Sequence, residues 1–121
     1  MRILKFRQLV NGRFHYWGFL EKDCFTGPIN PRDPSQQFTG LYDKNGKKIY
    51  EGDIVKVRVE YGEPILPETI AIAVMDGWRS VFEWHEKGED GWYDKEIPMA
   101  LTYQNGIEVI GNIYENKELI P

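Results

Sequence analysis

The sequence predicts an all-β domain, and three observations carry that prediction. Apolar and polar residues alternate with a period of two, as in Val55, Val57 and Val59 against Lys56, Arg58 and Glu60. Such alternation sets one face of a strand on a core and the other in water. Gly-containing turn pairs recur between the apolar runs, at Asn11-Gly12, Asn45-Gly46, Asp76-Gly77 and Asn105-Gly106, where a tight hairpin turn needs residues that tolerate positive φ. Helix-period apolar spacing is hard to find.

The elements follow in order. Ile3–Val10 and Arg13–Leu20 flank Asn11-Gly12 as a first hairpin, with Phe14, Tyr16 and Phe19 supplying large rings. Thr26–Ser35 contains three prolines, which remove backbone donors and fix φ, so this stretch reads as a loop and as the most mobile segment. Phe38–Tyr42, the turn Asp43–Lys47 and Ile49–Asp53 lead into a strand over Ile54–Glu60. Gly62–Glu68, with Pro64 and Pro67, reads as a second loop. Ile70–Met75 is apolar on both faces, as a central or covered strand would be, and Asp76-Gly77 turns it back into Trp78–Trp84. Glu86–Asp94 is acidic and exposed in character; Ile97–Tyr103 is a strand interrupted by Pro98, turned at Asn105-Gly106 into a last strand ending at Tyr114. Asn116 is placed to cap a helical turn at Lys117–Ile120.

Strands of this length in an open sheet would expose long edges, so a small, partly closed barrel with the first hairpin packed on it is expected. Val55, Val57, Val59, Ile70, Ile72, Val74, Val109 and Ile113 are expected to dominate its core. A chain of 121 residues that is 41% apolar suits one domain over 1–121, with no disulfide or metal required to hold it. Its one cysteine, Cys24, has no internal partner, and no charged-then-apolar leader opens the chain, so a cytoplasmic location is expected. The longest apolar run is far below the roughly 20 residues that cross a bilayer.

The net charge of −4 is unevenly divided. Residues 1–62 hold eleven basic against seven acidic side chains, and residues 63–121 hold four against twelve. The split suits a basic face for an anionic partner, an acidic face for a cationic one, or contact between copies; charges that merely keep strand edges soluble are the plainer reading.

The run Gln36-Gln37-Phe38-Thr39-Gly40-Leu41-Tyr42-Asp43-Lys44-Asn45-Gly46-Lys47-Lys48-Ile49-Tyr50-Glu51-Gly52-Asp53-Ile54-Val55 resembles the signature of the YopX family of small phage and prophage proteins. Glu108–Asn116 resembles the family's C-terminal motif, and Lys5-Phe6-Arg7 fits its opening. The resemblance implies an SH3-type β-barrel core and a phage or prophage origin, and carries no catalytic residue across. Lys117 departs from it where the family often has a proline, and Glu60–Gln104 shows little that matches. Gly40, Gly46 and Gly52 stand where the chain must reverse or bulge, and Gly111 inside the last strand marks a corner or a close backbone approach.

No cluster of residues demands a reaction, so no enzyme, cofactor or metal is expected. His15 and His85 lack a nucleophile context. Glu83, Glu86, Glu89, Asp90, Asp94 and Glu96 near His85 read as a solvated region, because no calcium-loop spacing is present and Lys87 and Lys95 offset the charge. One Cys and two distant His make no zinc set. Four tryptophans exceed what a small core must hide, and Trp78, Arg79, Trp92 and Tyr93 form the candidate interaction patch. The first reading is therefore a non-catalytic protein-interaction or assembly module with a phage or host protein partner, self-association included. The alternative is a single-stranded nucleic-acid binder using the basic N-terminal half, with Arg7, Arg13, Lys47, Lys48, Lys56 and Arg58 as its face and Arg2 and Lys5 nearby, beside Phe6, Tyr16, Trp17 and Tyr50 as aromatic platforms; the acidic overall balance counts against it.

Overall fold

The computed structural model describes residues 5–21, 24–29, 34–59, 66–77 and 79–120. Expectations for Arg2, Ile3, the centre of the proline-rich stretch, Glu60, Gly62–Ile65 and Trp78, and for the side chains of Phe19, Cys24 and Val59, lie outside the described residues.

Among the described residues ten strands form two antiparallel five-stranded sheets, and the only helical elements are three short 3-10 turns. The all-β expectation therefore holds, in sheets that stay open. In the first sheet the order is β3 (Cys24–Thr26), β2 (Arg13–Glu21), β1 (Lys5–Val10), β4 (Gln36–Tyr42), β5 (Lys48–Tyr50). In the second it is β10 (Ile107–Asn112), β6 (Asp53–Val59), β7 (Leu66–Asp76), β8 (Arg79–Gly88), β9 (Gly91–Pro98).

The first hairpin forms as the sequence predicts. Val10 pairs with Arg13, and Asn11 and Gly12 take φ of 50° and 78°, the two consecutive positive values of a type I′ turn. Phe6 faces Trp17 across the strands, their rings stacked at 4.3 Å.

The second sheet holds the main core, and here two expectations change. Val55 and Val57 are fully buried, as expected, but their neighbours on that face are Ala71 and Ala73 of β7. Ile70, Ile72 and Val74 lie on the opposite face and are only partly buried. Register explains the choice: Val55 pairs with Ala71, and Ala73 with the fully buried Phe82, so small side chains make room for a large ring. Ile49, Met99 and Ile107 complete this cluster; Val109 packs against it, and Ile113 is only partly buried.

The second change concerns the chain after β8. The segment expected as an exposed loop, Glu86–Asp94, is a continuation of the ladder: β8 runs on to Gly88, and β9 pairs with it from Gly91 to Pro98. The segment is exposed, as its composition implies, but its backbone bonds are made within a two-stranded ribbon. Pro98 then ends β9, and 3-10 turns at Met99–Leu101 and Gln104–Gly106 replace the expected strand over Ile97–Tyr103. Asn105-Gly106 closes no hairpin, because β10 crosses to the far edge and pairs with β6.

Two smaller differences have local causes. β7 begins at Leu66, so Pro67 lies in a strand; the pairing with β6 shifts register between Val57↔Thr69 and Val59↔Leu66, an irregularity that tolerates a missing donor. Register also shifts at Gly111, as the sequence suggested, and a Cβ there would sit 2.7 Å from Asn116 Oδ1. The last 3-10 turn spans Lys117–Leu119, but the Asn116 side chain makes no capping bond to it and instead accepts from Asn112 N–H at 3.2 Å.

The core assignment is open to a direct check by chemical denaturation. Phe82→Ala is expected to cost about 3–5 kcal/mol and Ala73→Leu about 1–3 kcal/mol, with Ile70→Thr costing less than Phe82→Ala. A larger loss at Ile70 than at Phe82 would reverse the assigned faces of β7.

Candidate functional site

Strand alternation gathers one face of the first sheet. Lys5 and Arg7 share a side of β1, Arg7 pairs with Tyr16 of β2, and Lys48 and Tyr50 share a side of β5. With Lys47 from the β4–β5 turn, these six residues line an open concavity of about 410 Å³.

Arg7 forms the floor of this concavity and is not a surface charge. It is 4% exposed and makes a salt bridge through Nη2 to Asp53 Oδ1, while its Nε donates to Gln36 Oε1 at 3.2 Å. The guanidinium lies 4.3 Å from the Phe14 ring centroid and 4.8 Å from that of Tyr50. Asp53 Oδ2 accepts from Tyr50 N–H at 2.8 Å. Burial pushes the Asp53 carboxyl above its ordinary range, and the Arg7 charge and the Tyr50 N–H offset part of that rise. Burial, with Tyr16 beside it, also raises Tyr50 to about 12, so its hydroxyl keeps its proton at neutral pH.

The sequence-predicted basic face is therefore divided. Arg7 is consumed inside the fold. Arg13 is exposed beside the β1–β2 turn. Lys47 and Lys48 line the concavity. Lys56 and Arg58 line a separate groove of about 480 Å³ with Lys44 and Tyr103. Carboxylates share that second groove: Lys44 bonds Glu108 at 3.2 Å, and Lys56 reaches Glu68 at 3.9 Å. Lys5, also among the basic residues of the N-terminal half, lines the concavity with Lys47 and Lys48, and Tyr16 and Tyr50 of the expected aromatic platforms stand beside it.

The aromatic patch is divided as well. Arg79 stands at the base of β8, where it holds Glu83 at 3.2 Å and Glu96 at 3.1 Å. Trp92 faces Lys87, eight residues further along β8, which at strand rise is roughly 26 Å away. Trp92 is 64% exposed, and Tyr93, also exposed, lies with its ring over Gly88. His85 bonds Asp94 at 2.6 Å on the same exposed ribbon, so the acidic residues around it line open strand surface.

Asp43 anchors the signature turn. It is 1% exposed; its Oδ1 accepts from Asn45 N–H at 2.9 Å and Lys47 N–H at 2.8 Å, and its Oδ2 from Val109 N–H at 3.0 Å. Burial alone would raise its pKa, but the three N–H donors and the Lys47 charge outweigh it and hold the carboxyl below the ordinary range. At the end of β10, Asn112 Oδ1 likewise accepts from the N–H groups of Tyr114 and Glu115, both at 3.0 Å. The two stretches that resemble a known family thus do structural work at the same joint. The family model described as YopX protein matches residues 15–121. The chain belongs to the YopX family. No curated protein matches it. Gly40, Gly46 and Gly52, which carry φ of 86°, 78° and 86°, fall with Asp43 and Asn112 inside the matched residues. The YopX match names no reaction and no ligand.

Two expectations follow from this joint. Arg7→Ala, which leaves Asp53 buried without its partner, is expected to cost about 3–5 kcal/mol, and Arg7→Ala/Asp53→Ala less than the sum of the single losses, as a denaturation double-mutant cycle would show. Asp43→Asn is expected to cost about 1–3 kcal/mol at neutral pH. Because the folded pKa of Asp43 is lowered, its stabilisation is present above the ordinary value of 3.8 and is lost as pH falls through the folded value. The gap between wild type and Asp43→Asn should therefore be steady from pH 7 to 5 and narrow below 3.8; a gap independent of pH would refute the ionised role.

Proposed function

We propose that this YopX-family chain is a non-catalytic protein-binding module of phage or prophage origin that works in the bacterial cytoplasm, with the β8–β9 ribbon as its contact element. The observation that supports the reading most directly is the ribbon tip. A two-stranded ribbon exposed on both faces gains little from its own burial, and a tryptophan left 64% exposed on it has no packing role to explain it. Trp and Tyr are the residues most enriched where binding energy concentrates.

Charge narrows the partner. Glu86, Glu89, Asp90 and Asp94 outnumber Lys87 and Lys95 on the ribbon, so the fitting surface is a cationic one on a phage or host protein. A single cysteine suits a reducing compartment.

Affinity capture from the producing bacterium, run with wild type and Trp92→Ala side by side, checks the proposal. The substitution should change stability by no more than about 0.5 kcal/mol and weaken an identified, salt-sensitive protein partner by about 30-fold. Concentration-dependent self-association lost in Trp92→Ala would name a second copy as that partner. A chain that stays monomeric and retains nothing, or retains its partner equally well as Trp92→Ala, would overturn the reading.

A further inference from the structure

The concavity on the first sheet carries an inference that goes beyond the ribbon. Among the described residues Lys44 and Lys56 have carboxylate partners, whereas Lys5, Lys47 and Lys48 have none within ion-pair distance. The fourth cation there, Arg7, is neutralised by Asp53 beneath it. Asp43, whose charge Lys47 reaches, is buried with its oxygens engaged by three backbone N–H groups. Among the described residues no carboxylate lines the concavity, so three lysines from two separate strands and a turn face a common space, Lys47 shared with the buried Asp43 and Lys5 and Lys48 without a carboxylate partner.

That space also has an aromatic wall. Tyr16 packs against Tyr50 with centroids 5.7 Å apart at 60°, and against Phe14 at 6.3 Å. These contacts hold the Tyr16 ring in place yet leave the residue 45% exposed. A fixed, half-exposed ring beside unpaired lysines suits a ligand that has both a flat π-face and a phosphate. We propose that the concavity binds a nucleotide unit, its base stacked on Tyr16 and its phosphate held by Lys5, Lys47 and Lys48. The unit is either a free nucleotide or one residue of a single strand, since both present the same base and phosphate.

The probes are adenosine 5′-monophosphate and a fluorescein-labelled dT12 oligonucleotide, titrated at 50 and 200 mM salt. Saturable binding of dT12 alone identifies a single strand; binding of the mononucleotide as well identifies the free nucleotide. Tyr16→Ala is expected to weaken binding about tenfold while Tyr16→Phe, which keeps the stacking face, retains it. Lys47→Ala/Lys48→Ala is expected to weaken binding and to flatten its salt dependence. Trp92→Ala, on the other sheet, should leave it intact, so this site and the ribbon stand or fall separately. Absence of saturable binding by both probes at 50 mM salt, or affinities that Tyr16→Ala and the double lysine variant leave unchanged in chains with wild-type melting, would overturn the proposal.

Discussion

The buried ion pair between Arg7 and Asp53 is the constraint on which the rest of the molecule depends. Arg7 belongs to β1 in the first sheet, and Asp53 opens β6 in the second. Bringing both charges out of water is costly, and the cost is offset only where the remaining hydrogen-bonding capacity is also met. Here Gln36 accepts from Arg7, Tyr50 N–H donates to Asp53, and the Phe14 and Tyr50 rings flank the guanidinium. Each of those partners comes from β2, β4 or β5, so one pair commits four strands of the first sheet to a single position against the second. Backbone bonds extend the joint: Gly52 N–H donates to Ala73 C=O, and Ile113 N–H to Gly52 C=O, both within 2.9 Å.

This arrangement gives the family signature a physical meaning. Asp43 replaces a missing strand neighbour for three N–H groups, and Lys44 N–H donates to Ile107 C=O at 2.8 Å, so the β4–β5 turn is stitched to β10. Asn112 organises the closing loop in the same way. Asp43 and Asn112 are therefore committed to holding the turn after β4 and the end of β10 in place. The two proposed binding surfaces lie elsewhere, on the β8–β9 ribbon and in the concavity of the first sheet.

The charge asymmetry of the sequence becomes a separation in space. Basic residues of the N-terminal half divide between an unpaired set around Tyr16 and a set neutralised by Glu68 and Glu108. Acidic residues of the C-terminal half gather along β8 and β9, where Arg79 binds two of them at the ribbon base. The first sheet thus carries a cationic, aromatic hollow and the second an anionic, aromatic tip.

Period-two alternation by itself determined that the chain is all-β, that Asn11-Gly12 turns, that Val55 and Val57 are core, and that Gly111 marks an irregular strand, because each depends on neighbours within a few residues. The tertiary structure decided what local pattern leaves open. β7 is apolar on both faces, so only pairing with Phe82 could choose Ala71 and Ala73 over Ile70 and Ile72. Glu86–Asp94 is polar enough for a loop, and only cross-strand bonding made it a ribbon. Arg7 looks like any surface arginine until Asp53, 46 residues away, is set against it. Burial and charge pairing are properties of neighbours that a linear pattern does not name, so the candidate sites had to be reassembled from the fold.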